Sequence, residues 1–348
     1  MYGSIPTRRV AGAALLAAQV TLGSPVAGAP SAPQTPHAAP RAVTFVAHPA
    51  PEGRYGRYSP WSPTTAQFAY ADGGGILVVN LADATSRPVR VVQAVDTDCT
   101  WSPEGTWLLV RTQSIAKDAE GAALIVVPAA GGTPVPVADG VLLSEFVWAG
   151  DGKIYYWDYT SPQPHVVEPP AAWIAARAHA PAARPVLVFE FGGPLPRAAY
   201  FDARLPKPTS ALVGAASLSR SLLRSDGFAD GRLLVHVQSD NEGTPGANLI
   251  VDATGKTAGQ IRAAWDDGAF AATSISADGT YAAGEQVMGD EDQVTESKIF
   301  LVAVDGSWHV SVSGVAWGAD PRLSRAGNYL AYTDAEGNAH AGAFQLQN

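Results

Sequence analysis

Trp101-Ser102-Pro103-Glu104-Gly105 is followed, after Thr106, by Trp107-Leu108-Leu109-Val110: an aromatic residue, a tight turn, then an apolar strand. The phrase returns along the chain. Trp61-Ser62-Pro63 precedes it and Trp148-Ala149-Gly150-Asp151-Gly152 follows. Weaker copies stand at Phe228-Ala229-Asp230-Gly231, Ile275-Ser276-Ala277-Asp278-Gly279 and Leu323-Ser324-Arg325-Ala326-Gly327. Successive starts at 61, 101, 148, 228, 275 and 323 are 40, 47, 80, 47 and 48 residues apart, so one interval is about twice the others. A period in the forties marks a repeat architecture in which neighbouring units share a core.

A second signature fills the long interval. Ala69-Tyr70 and Asp72 stand 8, 9 and 11 residues after Trp61, and Ala331-Tyr332 and Asp334 stand at the same offsets after Leu323. Ala199-Tyr200 and Asp202 repeat those offsets after Phe191, which divides the 80-residue interval into 43 and 37 and gives seven units. In unit two, Trp107 to Val110 and Ala123-Leu124-Ile125-Val126-Val127 read as the second and third strands, with Gly131-Gly132 as the turn after them. Pro134-Val135-Pro136-Val137 then carries two prolines, which confines it to an outer edge. Four short strands ending at a proline-marked edge describe a propeller blade. The expectation is an all-β, seven-bladed β-propeller. Six blades is the alternative, because unit one lacks the turn glycine and units four and five are degenerate. The stretch nearest to a helical period is Ala171 to Arg177, a single short helix between units three and four.

The residues from Trp101 to Gly105, with Glu in place of Asp, resemble the W-S-P-D-G blade phrase of the TolB-like propeller family, a relative of the WD-repeat propellers. Ile299-Phe300-Leu301-Val302-Ala303-Val304-Asp305-Gly306 is similar to that family's second blade strand. The resemblance covers roughly residues 42–348 and implies a propeller that binds rather than catalyses. Fold by itself does not assign function.

The start of the chain reads differently. Arg8-Arg9 followed by the almost wholly apolar Val10 to Leu22 has the charge and length of a secretory signal, too short to span a bilayer, with Ala27-Gly28-Ala29 as the cleavage site. The expected organisation is a signal peptide over residues 1–29, an Ala/Pro-rich tether over 30–41 and the propeller domain over 42–348. The protein is then exported, periplasmic or secreted, and not a transmembrane protein. Cys99, the one cysteine, lies within unit two, which excludes an intrachain disulfide and a lipid anchor at the cleavage point. It reads as a buried apolar residue beside Trp101. Without Arg8 and Arg9 the chain keeps 21 basic against 32 acidic residues, a net charge of −11, which argues against nucleic acid as a partner.

No catalytic motif in the sequence is complete. Val186-Leu187-Val188-Phe189-Glu190-Phe191-Gly192-Gly193-Pro194 resembles the strand and oxyanion loop of prolyl-oligopeptidase-type hydrolases, with Phe191 where their histidine stands, but no G-x-S-x-G nucleophile elbow follows. It reads as a blade strand and its turn. Histidines 37, 48, 165, 179, 236, 309 and 340 never pair at metal-ligand spacing. Gly289-Asp290-Glu291-Asp292-Gln293 lacks the spacing of a calcium loop and reads as a charged hairpin tip. Asp72-Gly73-Gly74-Gly75 reads as a hairpin turn rather than a phosphate loop, with no helix following it.

One constellation respects the repeat. Three residues before each phrase start stand Tyr58, Asp98, Glu145, Val188, Ser225, Ala272 and Asp320, equivalent points on the innermost strands around a propeller's central channel. Asp98, Glu145 and Asp320 are acidic and fall in units two, three and seven, with Tyr58 of unit one among them. They are the candidate binding residues of the channel mouth, with solvated surface as the other reading. If the carboxylates converge, their repulsion calls for a neutralising cation, either calcium, which suits oxygen-only ligands, or a Lys or Arg of a partner protein. The favoured function is an exported, non-catalytic scaffold for protein binding through the loops or channel mouth, with no resident cofactor. The alternative is a metal-dependent hydrolase or lyase with its site in that mouth.

Overall fold

The computed structural model describes residues 39–49, 53–56, 59–94, 97–115, 121–148, 152–158, 165–170, 186–190, 197–201, 209–211, 223–227, 232–237, 247–251, 257–261, 269–289 and 294–347. The chain divides into two compact units, Met1–His37 and Ala38–Asn348, and every described residue belongs to the second.

Each sequence unit folds as an antiparallel meander. β1 (Ala42–Ala47) comes first in the chain. Unit one supplies β2 (Gln67–Ala71), β3 (Gly75–Asn80) and β4 (Val89–Gln93), and unit two β5 (Asp98–Trp101), β6 (Trp107–Gln113), β7 (Ala122–Pro128) and β8 (Val135–Val141). Unit three supplies β9 (Leu143–Trp148), β10 (Ile154–Asp158) and β11 (His165–Val167), and unit four β12 (Val186–Glu190), β13 (Arg197–Phe201) and β14 (Thr209–Ala211). Unit five holds β15 (Leu223–Gly227), β16 (Leu233–Val237), β17 (Ala247–Val251) and β18 (Thr257–Ile261). Unit six holds β19 (Ala269–Ile275), β20 (Tyr281–Gly289), β21 (Val294–Ala303) and β22 (His309–Ser313), and unit seven β23 (Ala319–Leu323), β24 (Tyr329–Thr333) and β25 (Ala339–Gln347). No helix occurs among the described residues, and Ala171 to Arg177 lies outside them.

The recurring phrase has a local physical cause. Ser102 Oγ accepts a hydrogen bond from the Trp107 amide at 3.0 Å, and Ser276 Oγ accepts one from Tyr281 at 3.1 Å. The serine thus ties the turn to the strand that follows. Gly105 takes φ +74 and Gly279 φ +73, a left-handed conformation that glycine adopts at no steric cost. Trp61 and Trp101 are 3% and 6% exposed, and each donates its indole N–H to the preceding unit, Trp101 to Pro60 O at 2.9 Å and Trp61 to Arg322 O at 2.8 Å. The phrase therefore closes a turn and staples neighbours.

Burial follows from that stacking. β6 and β7 are buried over most of their lengths, as continuous apolar strands must be when both sheet faces are covered. β8, with Pro136, is half exposed, as an outer edge should be. The core is divided among interfaces: Ile76 and Val92 pack with Trp101 and Val110 between units one and two, and Leu109 and Leu124 pack with Phe146 and Trp148 between units two and three.

β1 completes the last blade as its outer strand. It pairs antiparallel with β25 from Ala42↔Gln347 to Ala47↔Gly342. It also pairs parallel with β22 at Val43↔Val312 and Thr44↔Ser313. This second pairing joins units six and seven into one eight-stranded sheet. Val43 and Phe45 are buried, Phe45 packs edge-on to Tyr332 with ring centroids 5.3 Å apart, and Ser313 Oγ donates to Val43 O at 2.7 Å. Gly342 lies directly under Val46 O, where a side chain would overlap the carbonyl.

Candidate functional site

Asp98, Glu145, Val188, Ser225, Ala272 and Asp320 all lie on the first strand of their units, β5, β9, β12, β15, β19 and β23. Tyr58 lies outside the described residues, and Glu145 is placed by its backbone register opposite Trp157. Contacts run between β2 and β5, β5 and β9, β12 and β15, β15 and β19, and β19 and β23. The last unit meets the first through a shared core in which Trp61, Phe68 and Tyr70 pack with Ala331, Ala339 and Ala341. Two hydrogen bonds cross the same junction, from Trp61 to Arg322 O and from the Tyr55 hydroxyl to Asp320 O at 2.7 Å. The fold is a β-propeller.

No protein-family model matches the chain, and no curated protein matches it in sequence. Among solved structures it is similar to the β-propeller domain of Cps50 (Swd1) from Myceliophteria thermophila, at 14% identity over 86% of this chain and 99% of that one, with a TM-score of 0.48. It is similar to TolB from Acinetobacter baumannii at 11% identity, covering 88% of this chain and 80% of that one, TM-score 0.39. It is also similar to hydrazine synthase of Kuenenia stuttgartiensis at 13% identity over 85% and 96%, TM-score 0.48. At such identities the likeness concerns fold and nothing further.

The junction of units six, seven and one is built around a strained residue. Asp320 has φ +48, the one non-glycine positive φ among the described residues, at a register shift between Ala319 and Arg322. Such a conformation persists only when its surroundings over-determine it. The Asp320 amide donates to Glu285 Oε2 from β20, and its carbonyl accepts from Tyr55. On either side, Ser297 Oγ donates to Gly318 O at 2.7 Å and Ser274 Oγ accepts from Leu323 N at 2.8 Å. The Arg322 guanidinium, its side chain 8% exposed, lies 3.0 Å from Asp320 Oδ1, and Asp320 keeps 21% of its side chain exposed.

That pair revises the expectation of mutual repulsion. Arg322, two residues along the same strand, neutralises Asp320 from within the fold, so no external cation is needed there. Asp98 is reached through unit one: Gly56 packs against its carboxylate so closely that a Cβ would overlap Oδ1, and Asp98 Oδ1 accepts from the Cys99 amide at 2.8 Å. The dipeptide Tyr55-Gly56 therefore spans from Asp320 to Asp98. Arg54, Tyr55, Gly56, Thr97 and Asp98 line a crevice with room for about one water molecule. Cys99 forms its buried wall, where burial pushes the thiol well above its usual range and removes it from chemistry.

Around the rim, Asp72 pairs with Arg90, whose hydrogen bond holds the Asp72 carboxyl below the usual range. Tyr70 behind it is pushed up to about 12 by burial. His340 stacks on Tyr332 and lies 2.8 Å from Asp334, and His165 stacks on Tyr156 at 4.7 Å, so both serve packing. Among the described residues no group of three or more His, Cys, Asp or Glu side chains stands close enough to hold a metal ion. No helix among them is long and apolar enough to cross a membrane.

Tyr55, Gly56, Glu285 and Arg322 are site residues that the repeat did not reveal. Gly53-Arg54-Tyr55 is duplicated at once as Gly56-Arg57-Tyr58, and counting by offset selects the second tyrosine. Backbone bridges Arg54↔Ala71 and Trp61↔Phe68 enclose six residues on one side against two on the other, and the first copy, through Tyr55 and Gly56, reaches Asp320 and Asp98. The doubled Gly-Arg-Tyr was the available signal.

Proposed function

We propose that this chain is an exported, non-catalytic, seven-bladed β-propeller that binds a partner protein at the channel mouth where units seven, one and two meet. The observation that carries this reading is Asp320, held in a strained conformation by four elements with part of its carboxylate open to solvent and Tyr55-Gly56 linking it to Asp98. A rigid, pre-formed polar rim lowers the ordering cost of association. The seven-blade count rests on the seven sequence units, each with strands of its own, the last two joined by β1. Export rests on the basic and apolar residues 8–22 ahead of Ala27-Gly28-Ala29. Asp98, Asp320 and Glu145, with Tyr58 in the adjoining segment, remain the binding residues of this reading, and calcium is not required by it.

Affinity capture with the tagged full chain from an exporting host tests it. A protein retained by the wild type and lost from Asp98→Asn or Asp320→Asn is the expected result, with mature chains beginning after Ala29 by mass spectrometry. Partners retained equally by all three chains, or stoichiometric metal in the purified protein, would overturn it, the latter in favour of an enzyme.

A further inference from the structure

Apart from any partner, we propose that the Asp320–Pro321 peptide bond is self-cleaving: the Asp320 carboxylate attacks its own carbonyl carbon, Tyr55 stabilises the oxyanion, and the chain is cut within β23. This is the one Asp-Pro bond in the sequence. Such a bond is open to attack from within, because the side chain closes a five-membered ring on its own carbonyl. The proline nitrogen belongs to a tertiary amide, and it takes a proton and leaves more readily than a secondary one.

The fold singles this bond out. A residue before proline favours an extended φ of about −120°, whereas Asp320 is held at φ +48, and cutting the bond releases that constraint. The register of β23 with β24 passes from Ala319↔Thr333 to Arg322↔Ala331, skipping Asp320 and Pro321. Side-chain hydroxyls serve the carbonyls there instead. Ser297 donates to Gly318 O, Thr333 to Ala319 O and Thr273 to Pro321 O, so β21, β24 and β19 fix the backbone on both sides. On the scissile carbonyl itself, Asp320 O, the donor is the Tyr55 hydroxyl at 2.7 Å, the separation at which an oxyanion donor works. The Arg322 guanidinium lies 3.0 Å from Oδ1 and donates to Oδ2 at 3.2 Å, which fixes the nucleophile beside its target. Glu285 holds the Asp320 amide from β20. Tyr55, Glu285 and Arg322 are thus the titratable groups in contact with Asp320 among the described residues. Ring closure then starts with its orienting entropy already lost on folding.

The atoms balance with water as the co-reactant. Attack by a carboxylate oxygen forms a C–O bond and moves the negative charge to the carbonyl oxygen, where the Tyr55 hydroxyl already donates. Collapse breaks the C–N bond to Pro321, whose nitrogen takes a proton from solvent. Asp320 keeps 21% of its side chain exposed, so water reaches the site. The cyclic anhydride left on Asp320 adds one water and returns a proton, giving one chain that ends at Asp320 and another that begins at Pro321. Nothing is oxidised or reduced. The second piece stays attached, because the β1–β25 ladder ties it to the first.

The test is intact-mass spectrometry of the full chain, incubated folded and urea-unfolded in one mildly acidic buffer, beside Tyr55→Phe and Pro321→Ala. The unfolded sample reports the lability that any Asp-Pro bond has. The folded chain should yield pieces ending at Asp320 and beginning at Pro321 at least about tenfold faster than the unfolded chain, and Tyr55→Phe should lower the folded rate at least about tenfold. Pro321→Ala should slow cutting in both states. An uncut folded chain, a folded rate no higher than the unfolded one, cutting at another bond, or either variant cut as fast as the folded wild type overturns the proposal. If Tyr55→Phe loses its melting transition, the folded and unfolded rates of the wild type decide alone.

Discussion

Phe45→Ala isolates what β1 contributes. Phe45 is 5% exposed between Tyr332 and the core shared by units six and seven. Truncating a buried phenylalanine costs about 3–5 kcal/mol, from lost transfer energy plus the cavity left behind. Unfolding entropy of roughly 2.1 cal/mol/K per residue over the second compact unit, Ala38–Asn348, is about 0.65 kcal/mol/K, so the melting temperature should fall by about 5–8 °C. Val46, the next residue of the strand, is 60% exposed, and Val46→Ala should move the transition by less than about 1 °C. Scanning calorimetry of the two variants beside the wild type gives the answer. Equal shifts, or a Phe45→Ala shift below about 1 °C, would refute the placement of β1 in the last blade.

Deleting residues 42–48 should destabilise the whole propeller cooperatively, seen as one displaced transition; an unchanged melt would put the strand elsewhere. Trp101→Ala should cost ~3–5 kcal/mol and Trp101→Phe about 1 kcal/mol less the packing change, by urea denaturation, because the first loses a core ring and the second mainly the bond to Pro60 O. Asp320→Ala takes its carboxylate from the buried Arg322 guanidinium and should cost about 3–5 kcal/mol, with Asp320→Ala/Arg322→Met recovering most of it. The Tyr70 phenol, near 12 when folded against about 10 in an unfolded chain, contributes stability that is present below pH 10 and lost as pH rises toward 12. Tyr70→Phe should therefore show a smaller alkaline fall in melting temperature than the wild type over that window, and an identical fall would remove Tyr70 as a cause.

What could be read from sequence was what repeats. The serine and glycine of the copies at 101 and 275 perform the same local task, and Trp61 and Trp101 staple neighbouring units, so period and residue type converge on the blade. Asp98, Glu145 and Asp320 were chosen in the same way, as offsets within a period, and all three fall on first strands, β5, β9 and β23. Arg322 and Glu285 were not, because their roles depend on a bulge and a neighbouring blade that break the period. The parallel pairing of β1 with β22 involves side chains that would look the same in any outer strand, and nothing in the residues distinguishes it.

The pairing of β1 with β25 also sets how the protein yields to force. The Arg41 amide donates to Gln347 O at 2.7 Å, so both ends of the folded domain emerge at one corner, side by side on antiparallel strands. Tension that draws those ends apart bears on Ala42↔Gln347 first, then Val43↔Leu346, breaking the ladder one rung at a time. A pull between residue 41 and β22 meets a different resistance, because parallel strands must slide along their length and strain several rungs together. The same closure that resists heat as a unit opens like a zipper from its own termini.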